Sequence, residues 1–388
     1  MNRPRMTALI LAAGFSSRMG RFKPLLPLGE VAVLERLVGI YRGVGIKEIG
    51  CVVGHRRDEL IPRLRNLGVR PIRNAVYKEG MFSSVVAGID SLPPETECFF
   101  IHPVDIPLVR PSTLARLLKI REEHPQAILF PIFEKERGHP PLIPDWCIRQ
   151  IRNWKGGNGL RGFLIRNEAS SVNVPVADRF IHKDMDTPED YQFLVDDLKT
   201  YEFPGFEECR TLMTEILKVD DRIWHHCRAV TDIALGLGGA LNRAGGRVNL
   251  HLIRSAGLLH DAAKSEPDHA RAGADLLRTM GFFKVADAVG QHMDVRIQTD
   301  RSPNAAEIVY LADKLVQGDQ RVDLETRFDR KLSKYGHDPE ARAAIARRKA
   351  DALHIQDRIQ NITGKSVSAI PDAASPLTEF YDLSSAAR

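Results

Sequence analysis

Short apolar, β-branched runs alternate with amphipathic stretches through the first half of the chain. Met6–Leu11 reads as a strand, Val31–Val44 as a helix, Glu48–Val53 as a strand and Asp58–Asn66 as a helix. The series continues with Val69–Arg73 (strand), Ser83–Ser91 (helix), Cys98–His102 (strand), Ser112–Glu123 (helix) and Ala127–Pro131 (strand). Strands separated by helices of this length form parallel βαβ units, so an α/β, doubly wound sheet is expected. Ligands on such sheets bind beyond the carboxyl ends of the strands. That directs attention to the loops after Leu11 and His102.

The pattern changes near Thr187-Pro188-Glu189-Asp190, which opens a helix running to about Lys199. Pro204-Gly205 breaks helices and marks the expected domain boundary. Beyond it no period of two appears. Helical stretches over 206–218, 220–241, 249–263, 268–280, 282–293 and 304–318, then a charged pair of helices to 362, predict an all-α domain. The Pro-, Ser- and Ala-containing stretch from Ser366 reads as a flexible tail. The expected organisation is therefore 1–203, 204–365 and 366–388.

With 388 residues, 43% hydrophobic and 27% charged, the chain is globular and long enough for two domains. No apolar run approaches the roughly 18 residues of a membrane span. The basic start, Asn2-Arg3-Pro4-Arg5, lacks an apolar region and cleavage site after it. A cytoplasmic protein without a membrane partner is expected. Its five scattered cysteines show no CxxC spacing and read as buried, reduced thiols. A net charge of +5 suits anionic small molecules, and no Lys/Arg run interleaved with aromatics points to nucleic acid.

The densest chemical signal is Leu11-Ala12-Ala13-Gly14-Phe15-Ser16-Ser17-Arg18-Met19-Gly20-Arg21-Phe22-Lys23-Pro24-Leu25-Leu26. A strand runs into a loop of glycine and small residues, whose backbone N–H groups can approach an anion. Arg18 adds a planar fork of donors for phosphate, and Lys23 a point charge. The spacing is neither a Walker P-loop nor the GxGxxG fingerprint.

This run resembles the signature of the molybdenum-cofactor nucleotidyltransferases, the MobA/MocA-like family, over about the first 200 residues. Asn74 with Gly80-Met81 and Ser83-Ser84, Pro103-Val104-Asp105-Ile106-Pro107, Gly138-His139-Pro140 and Asp184-Met185-Asp186-Thr187-Pro188-Glu189-Asp190 continue the resemblance in order. It implies a Rossmann-like nucleotidyltransferase fold. It also implies a nucleoside triphosphate held by Ala12, Ala13, Gly14, Arg18, Lys23, Asn74, Ser83 and Ser84, and Mg²⁺ on Asp105. Gly138-His139-Pro140 would lie toward a phosphorylated acceptor such as molybdopterin. The Ala-Ala-Gly form of the loop resembles the cytidylyl branch and implies CTP, with a molybdoenzyme maturation partner further on. Catalysis requires neutralising the charge that builds on leaving pyrophosphate, which Arg18, Lys23 and the loop amides can do. A second carboxylate, Asp184 or Asp186, would complete the Mg²⁺ shell, the alternative for the pair being an acidic cap for the next helix. His55, His102, His124 and His182 read as structural.

In the helical half, His226, His260-Asp261 and Asp313 follow in the order H…HD…D. Imidazoles and carboxylates are ligands for a hydrolytic transition-metal site. The surroundings, Leu258-Leu259-His260-Asp261-Ala262-Ala263-Lys264 and Ile308-Val309-Tyr310-Leu311-Ala312-Asp313-Lys314, resemble the HD-domain metal-dependent phosphohydrolases over about residues 205–325. The likeness is greatest to small HD proteins that cleave dinucleoside polyphosphates. It implies one metal on His226, His260, Asp261 and Asp313, and a second on His269, His292 and a bridging Asp261. Mn or Fe suits such a ligand set, and Lys264 or Arg321 would steady phosphate charge. His226 is preferred to His225 because the Cys-Arg-Ala-Val after it matches the family's helix register. His251 reads as surface.

The leading expectation is a bifunctional enzyme that transfers CMP from CTP to a molybdopterin-type phosphate and carries a metal-dependent phosphohydrolase in its C-terminal domain. The alternatives are a different phosphorylated acceptor, and an HD domain that binds nucleotide as a regulator.

Overall fold

Met6–Ala12 (β1) is the spine of an eight-stranded sheet, buried along nearly its whole length and paired in parallel on both sides. The computed structural model describes residues 5–372. Pro27–Leu28 (β2) and Val31–Ala32 (β3) form a separate antiparallel hairpin. Glu48–Val53 (β4), Arg70–Arg73 (β5), Cys98–Pro103 (β6), Ile128–Phe133 (β7), Glu136–Arg137 (β8), Leu142–Pro144 (β9) and Ser171–Pro175 (β10) complete the sheet. Its order is β10-β7-β9-β6-β1-β4-β5, with β8 on β7. β9 runs antiparallel to β6 and β7, and β8 antiparallel to β7; the remaining pairs are parallel. The fold is α/β and Rossmann-like, with a mostly parallel sheet.

The helices of this unit are Val33–Gly43 (α1), Arg57–Asn66 (α2), Met81–Asp90 (α3), Pro111–Glu123 (α4), Trp146–Arg152 (α5), Gly159–Arg166 (α6) and Pro188–Lys199 (α7). Period-two alternation sends strand side chains to both faces. Leu9, Leu11, Phe99 and Ile101 share a core cluster with Val85 and Ile89 of α3. Phe100 and His102 instead face Tyr41 of α1, with ring centroids 5.5 and 5.7 Å away. From β1 the chain builds outward through β4 and β5, then returns to the other side of β1 as β6. That reversal opens a crevice at the carboxyl ends of β1 and β6. Leu11 lies opposite Pro103, and the Val104 N–H donates to the Leu11 carbonyl at 3.0 Å. Val31 and Ala32, expected to start a helix, pair with Leu28 and Pro27 instead.

The second compact unit begins at Thr200. Phe206–Arg210 (α8) continues into a π-helical turn, Thr211–Ile216. Asp221–Arg243 (α9), Leu250–Leu259 (α10), His269–Thr279 (α11), Phe283–Val289 (α12), Ala305–Lys314 (α13), Leu324–Tyr335 (α14) and Pro339–Thr363 (α15) follow. Val316–Gln317 (β11) and Gln320–Arg321 (β12) add a short hairpin where only helix is expected. The break falls between Lys199 and Thr200, a few residues before Pro204. The reason is local packing: Phe203 is buried, and the Pro204 carbonyl accepts from Ser255 Oγ at 2.8 Å. α9 and α10 cross closely because Gly257 lacks a side chain; a Cβ there would lie 2.6 Å from Thr231 Oγ1.

Of the expected tail, residues 366–372 carry a 3₁₀ turn over Val367–Ala369, with Val367 and Ile370 buried. The remainder of that tail lies outside the described residues. All five cysteines are buried thiols. Among the described residues no helix is long and apolar enough to cross a membrane.

Candidate functional sites

The loop after β1 and the loop after β6 wall a cavity of about 390 Å³. Ala12, Ala13, Gly14, Lys23, Ser84 and Asp105 line it, as do Phe15, Tyr77 and Met81, to which the sequence assigned no role. The glycine loop turns back on itself: Ser16 adopts a left-handed conformation (φ 55°), and its Oγ accepts from the Lys23 N–H at 3.3 Å. Lys23 is thereby buried, 8% exposed, at the cavity wall. Its Nζ lies 2.7 Å from Asp186 Oδ1 and 3.2 Å from Asp105 Oδ2. The largely exposed Arg18 reaches the other Asp186 oxygen at 2.7 Å.

These contacts separate the two aspartates that the sequence leaves open. Burial would raise the Asp186 carboxyl, but the hydrogen bond and charge of Lys23, with Arg18, outweigh it and hold the pKa below its usual value. Asp184 is raised instead, by burial first and then by repulsion from Asp186, Asp105 and Asp190. A patch of carboxylates that holds like charges together is suited to a divalent cation.

Asn74 and Ser83, expected at the nucleotide, do not line the cavity. Asn74 Nδ2 donates to Ser83 Oγ at 2.8 Å and Ser84 Oγ at 3.0 Å, while its Oδ1 accepts from the Val76 N–H at 3.0 Å. The network ties β5 to the start of α3, because a buried amide must find partners. His102 is fully buried between Tyr41 OH at 2.9 Å and the Ile106 carbonyl at 2.9 Å. Burial pushes its pKa down to about 3, so it is a neutral strut behind the Asp105 loop. His139 is also lowered by burial, and its Nδ1 is buried without a hydrogen-bond partner.

In the second unit, four helices and the turns between them converge on Asp261. His226 comes from α9, His260 and Asp261 from the end of α10, His269 from the start of α11, His292 from the turn after α12, and Asp313 from α13. His226 Nε2 lies 3.1 Å from Asp313 Oδ1. His260 Nε2 lies 3.7 Å from Asp261 Oδ2, whereas His269 and His292 Nε2 lie 3.5 and 3.4 Å from Oδ1. The two Asp261 oxygens therefore face different histidine sets. Two groups, His226/His260/Asp261 and Asp261/His269/His292, bring ligand atoms within 4.8 Å of one another.

The donor set fits divalent transition metals. The Nδ1 atoms of His226, His260 and His292 lie 2.7–2.8 Å from the carbonyls of Gly318, Gly257 and Val289. A ring that donates Nδ1–H to a carbonyl presents a lone pair at Nε2. Nε2 of His260, His269 and His292 is buried with no hydrogen-bond partner. Burial, with the other histidines, lowers His260 to about 4 and opposes a proton there. Asp313 is held far below the carboxylate range: burial acts against this, and the Lys314 charge and His226 hydrogen bond prevail.

Residues 8–171 match the family described as the MobA-like NTP transferase domain, and residues 223–317 the HD domain. The chain joins a MobA-like NTP transferase domain to an HD domain. Over 185 residues, 47% of this chain, it is 29% identical to 92% of a molybdenum cofactor cytidylyltransferase from Escherichia coli (strain K12). It is 37% identical over 127 residues to a bifunctional IPC transferase and DIPP synthase from Rubrobacter xylanophilus, covering 31% of this chain and 28% of that protein. A molybdenum cofactor guanylyltransferase from Xanthomonas euvesicatoria pv. vesicatoria is 25% identical over 49% of this chain and 94% of its own length.

Within the HD domain, His225 is exposed while His226 points to Asp313. Lys264 Nζ lies 2.9 Å from Asp261 Oδ2 and is partly exposed beside the cluster. Arg321, its alternative for steadying phosphate, is committed elsewhere: it donates to the Val367 and Ile370 carbonyls and pairs with Asp372. Lys314 was not anticipated. It is almost fully buried, 2.6 Å from Asp313 Oδ2 and 2.9 Å from the His292 carbonyl, and so braces two corners of the cluster. Its only signal in the sequence is its place next to Asp313.

Proposed function

We propose that the transferase domain moves a nucleoside monophosphate, CMP from CTP, onto a phosphate of a molybdopterin-type acceptor. The observation that carries this reading is Lys23 held between Asp105 and Asp186 at the edge of the glycine-loop cavity. An acceptor phosphate oxygen bonds to the α-phosphorus, the α–β anhydride bond breaks, and pyrophosphate leaves. Loop amides, Lys23 and Arg18 neutralise the charge that grows on that leaving group. Mg²⁺ on Asp105 and Asp184 would supply further charge neutralisation at the phosphates. Asp184 is favoured over Asp186 because Lys23 and Arg18 already neutralise Asp186. The cytidylyltransferase of Escherichia coli, similar over nearly its full length, supports CTP and the acceptor class.

For the HD domain we propose metal-dependent phosphohydrolysis. The supporting observation is the set of three buried Nε2 atoms without partners around Asp261. Mn or Fe on the two ligand groups would supply an activated water and polarise the phosphate. Lys264, partly exposed beside Asp261, would bind phosphate oxygen, and Lys314 pairs with Asp313.

The deciding experiment is pyrophosphate release from CTP, GTP, ATP and UTP with a molybdopterin-type acceptor and Mg²⁺. A CTP-dependent signal that disappears in Lys23→Ala supports the reading. Silence with all four nucleotides overturns it.

A further inference from the structure

Phe15 is out of character for a loop built to hold phosphate. It sits directly after Gly14, lines the cavity and is 48% exposed. The ring nevertheless has aromatic neighbours. His55 and Tyr77 pack against it at centroid distances of 5.2 and 5.3 Å, and lie 6.5 Å from each other. The His55 N–H donates to the Ala13 carbonyl at 3.2 Å, which fastens the loop after β4 to the glycine loop. Gly54 makes the approach of Tyr77 feasible. A Cβ at Gly54 would lie 2.6 Å from Tyr77 Cβ and 3.0 Å from Ala13 Cβ. Behind His55, Phe22 packs edge-on at 6.3 Å, and the Arg56 guanidinium covers Phe22 at 4.7 Å.

Separate stretches of chain thus converge to support one exposed aromatic ring. The cavity has two characters: Lys23 and Asp105 make it charged, while Phe15, Tyr77 and the 66% exposed Met81 make it apolar. Phosphates have no use for aromatic surface. A ligand that satisfies both parts carries phosphate together with a planar ring. Every heterocycle presents a π-face, and stacking on a rigid aromatic adds affinity without demanding hydrogen-bond partners.

We infer that Phe15, backed by Tyr77 and His55, is the stacking platform for a planar heteroaromatic ring of a substrate bound in the transferase cavity. The inference rests on the nucleotidyl-transfer reading, in which two ring-bearing molecules enter this cavity. The nucleobase of the triphosphate and the pterin of the acceptor share the chemistry that the platform recognises.

The test uses the full chain with Phe15→Trp as a fluorescent reporter, read against the parent with its three native tryptophans. CTP, neopterin and ring-free tripolyphosphate are titrated separately. Saturable quenching by CTP or neopterin, and none by tripolyphosphate, is the expected result. By calorimetry, Phe15→Ala should bind the quenching compound about 10-fold more weakly. Tripolyphosphate binding stays unchanged, and Phe15→Tyr restores the parent affinity. Quenching by CTP assigns the nucleobase, and quenching by neopterin assigns the acceptor ring. If Phe15→Ala binds both ring-bearing compounds as tightly as the parent, the platform is overturned and the transfer reading stands. A parent that binds neither compound overturns both.

Discussion

Lys23 Nζ and Asp186 Oδ1, 163 residues apart in the chain, meet at 2.7 Å. The contact neutralises Asp186, whereas burial and repulsion from Asp186, Asp105 and Asp190 raise Asp184. Equivalent substitutions at the two aspartates should therefore behave differently. Asp184→Asn is expected to raise the Mg²⁺ concentration for half-maximal pyrophosphate release by about 10-fold or more. Asp186→Asn should chiefly raise the KM for the nucleotide, because Lys23 and Arg18 lose the carboxylate that positions them. Mg²⁺ titrations of both variants at saturating CTP check this, and equal Mg²⁺ dependence would refute the assignment.

Asp105 lines the transferase cavity, and the His/Asp cluster is built entirely from the second unit. Asp105→Ala is expected to reduce pyrophosphate release by at least about 100-fold. Metal-dependent hydrolysis of a dinucleoside polyphosphate should stay within about two-fold of the parent. Parallel assays on one preparation decide the matter, and joint loss of both activities would contradict the two-site arrangement.

The partnerless Nε2 atoms of His260, His269 and His292 make metal binding a stability term. Mn²⁺ added to chelator-stripped protein at about 100 times its Kd should stabilise the fold by about 2.7 kcal/mol. Thermal melts with and without Mn²⁺ should show an upward shift in the parent and little or none in Asp261→Ala. A shift of equal size in that variant would place the metal elsewhere.

Asp232, on α9, is partly buried with Oδ1 unpartnered, and burial raises its pKa to about 6 despite the nearby Arg228 charge. The folded state holds this proton more tightly than the unfolded chain, whose aspartate titrates near 3.9. Its effect on stability is therefore unfavourable above pH 6 and disappears as pH falls toward 4. Solvent screening at this partly exposed site reduces the penalty to about 1 kcal/mol. Asp232→Asn should raise Tm at pH 8 and change it little at pH 4.5. Melts at the two pH values test the sign directly.

Much of this was legible along the chain. The alternation of apolar runs with amphipathic stretches marks β1, β4, β5 and β6 and the helices between them, because local periodicity and burial are linked in a sheet covered on both faces. β8, β9, α5 and α6 escape that reading, since their two- to eight-residue spans are too short to show a period. The glycine loop and the H…HD…D series stand out because phosphate and metal chemistry restrict residue type and spacing. Asn74 has the right residue type but a different use, as its amide is consumed between Val76, Ser83 and Ser84.

Periodicity distinguished the two kinds of domain, and the resemblance of the motifs supplied the inventory of candidate groups, because each depends on residues near one another in sequence. The partners of those groups depended on three dimensions. Lys23 choosing Asp186, the two oxygens of Asp261 facing separate histidine sets, Arg321 leaving the cluster for Val367 and Ile370, and Tyr77 closing over Gly54 onto Phe15 are all set by the crossing of strands and helices. Contacts between residues tens or hundreds of positions apart leave no local periodicity, so only packing decides which charge, ring or lone pair meets which.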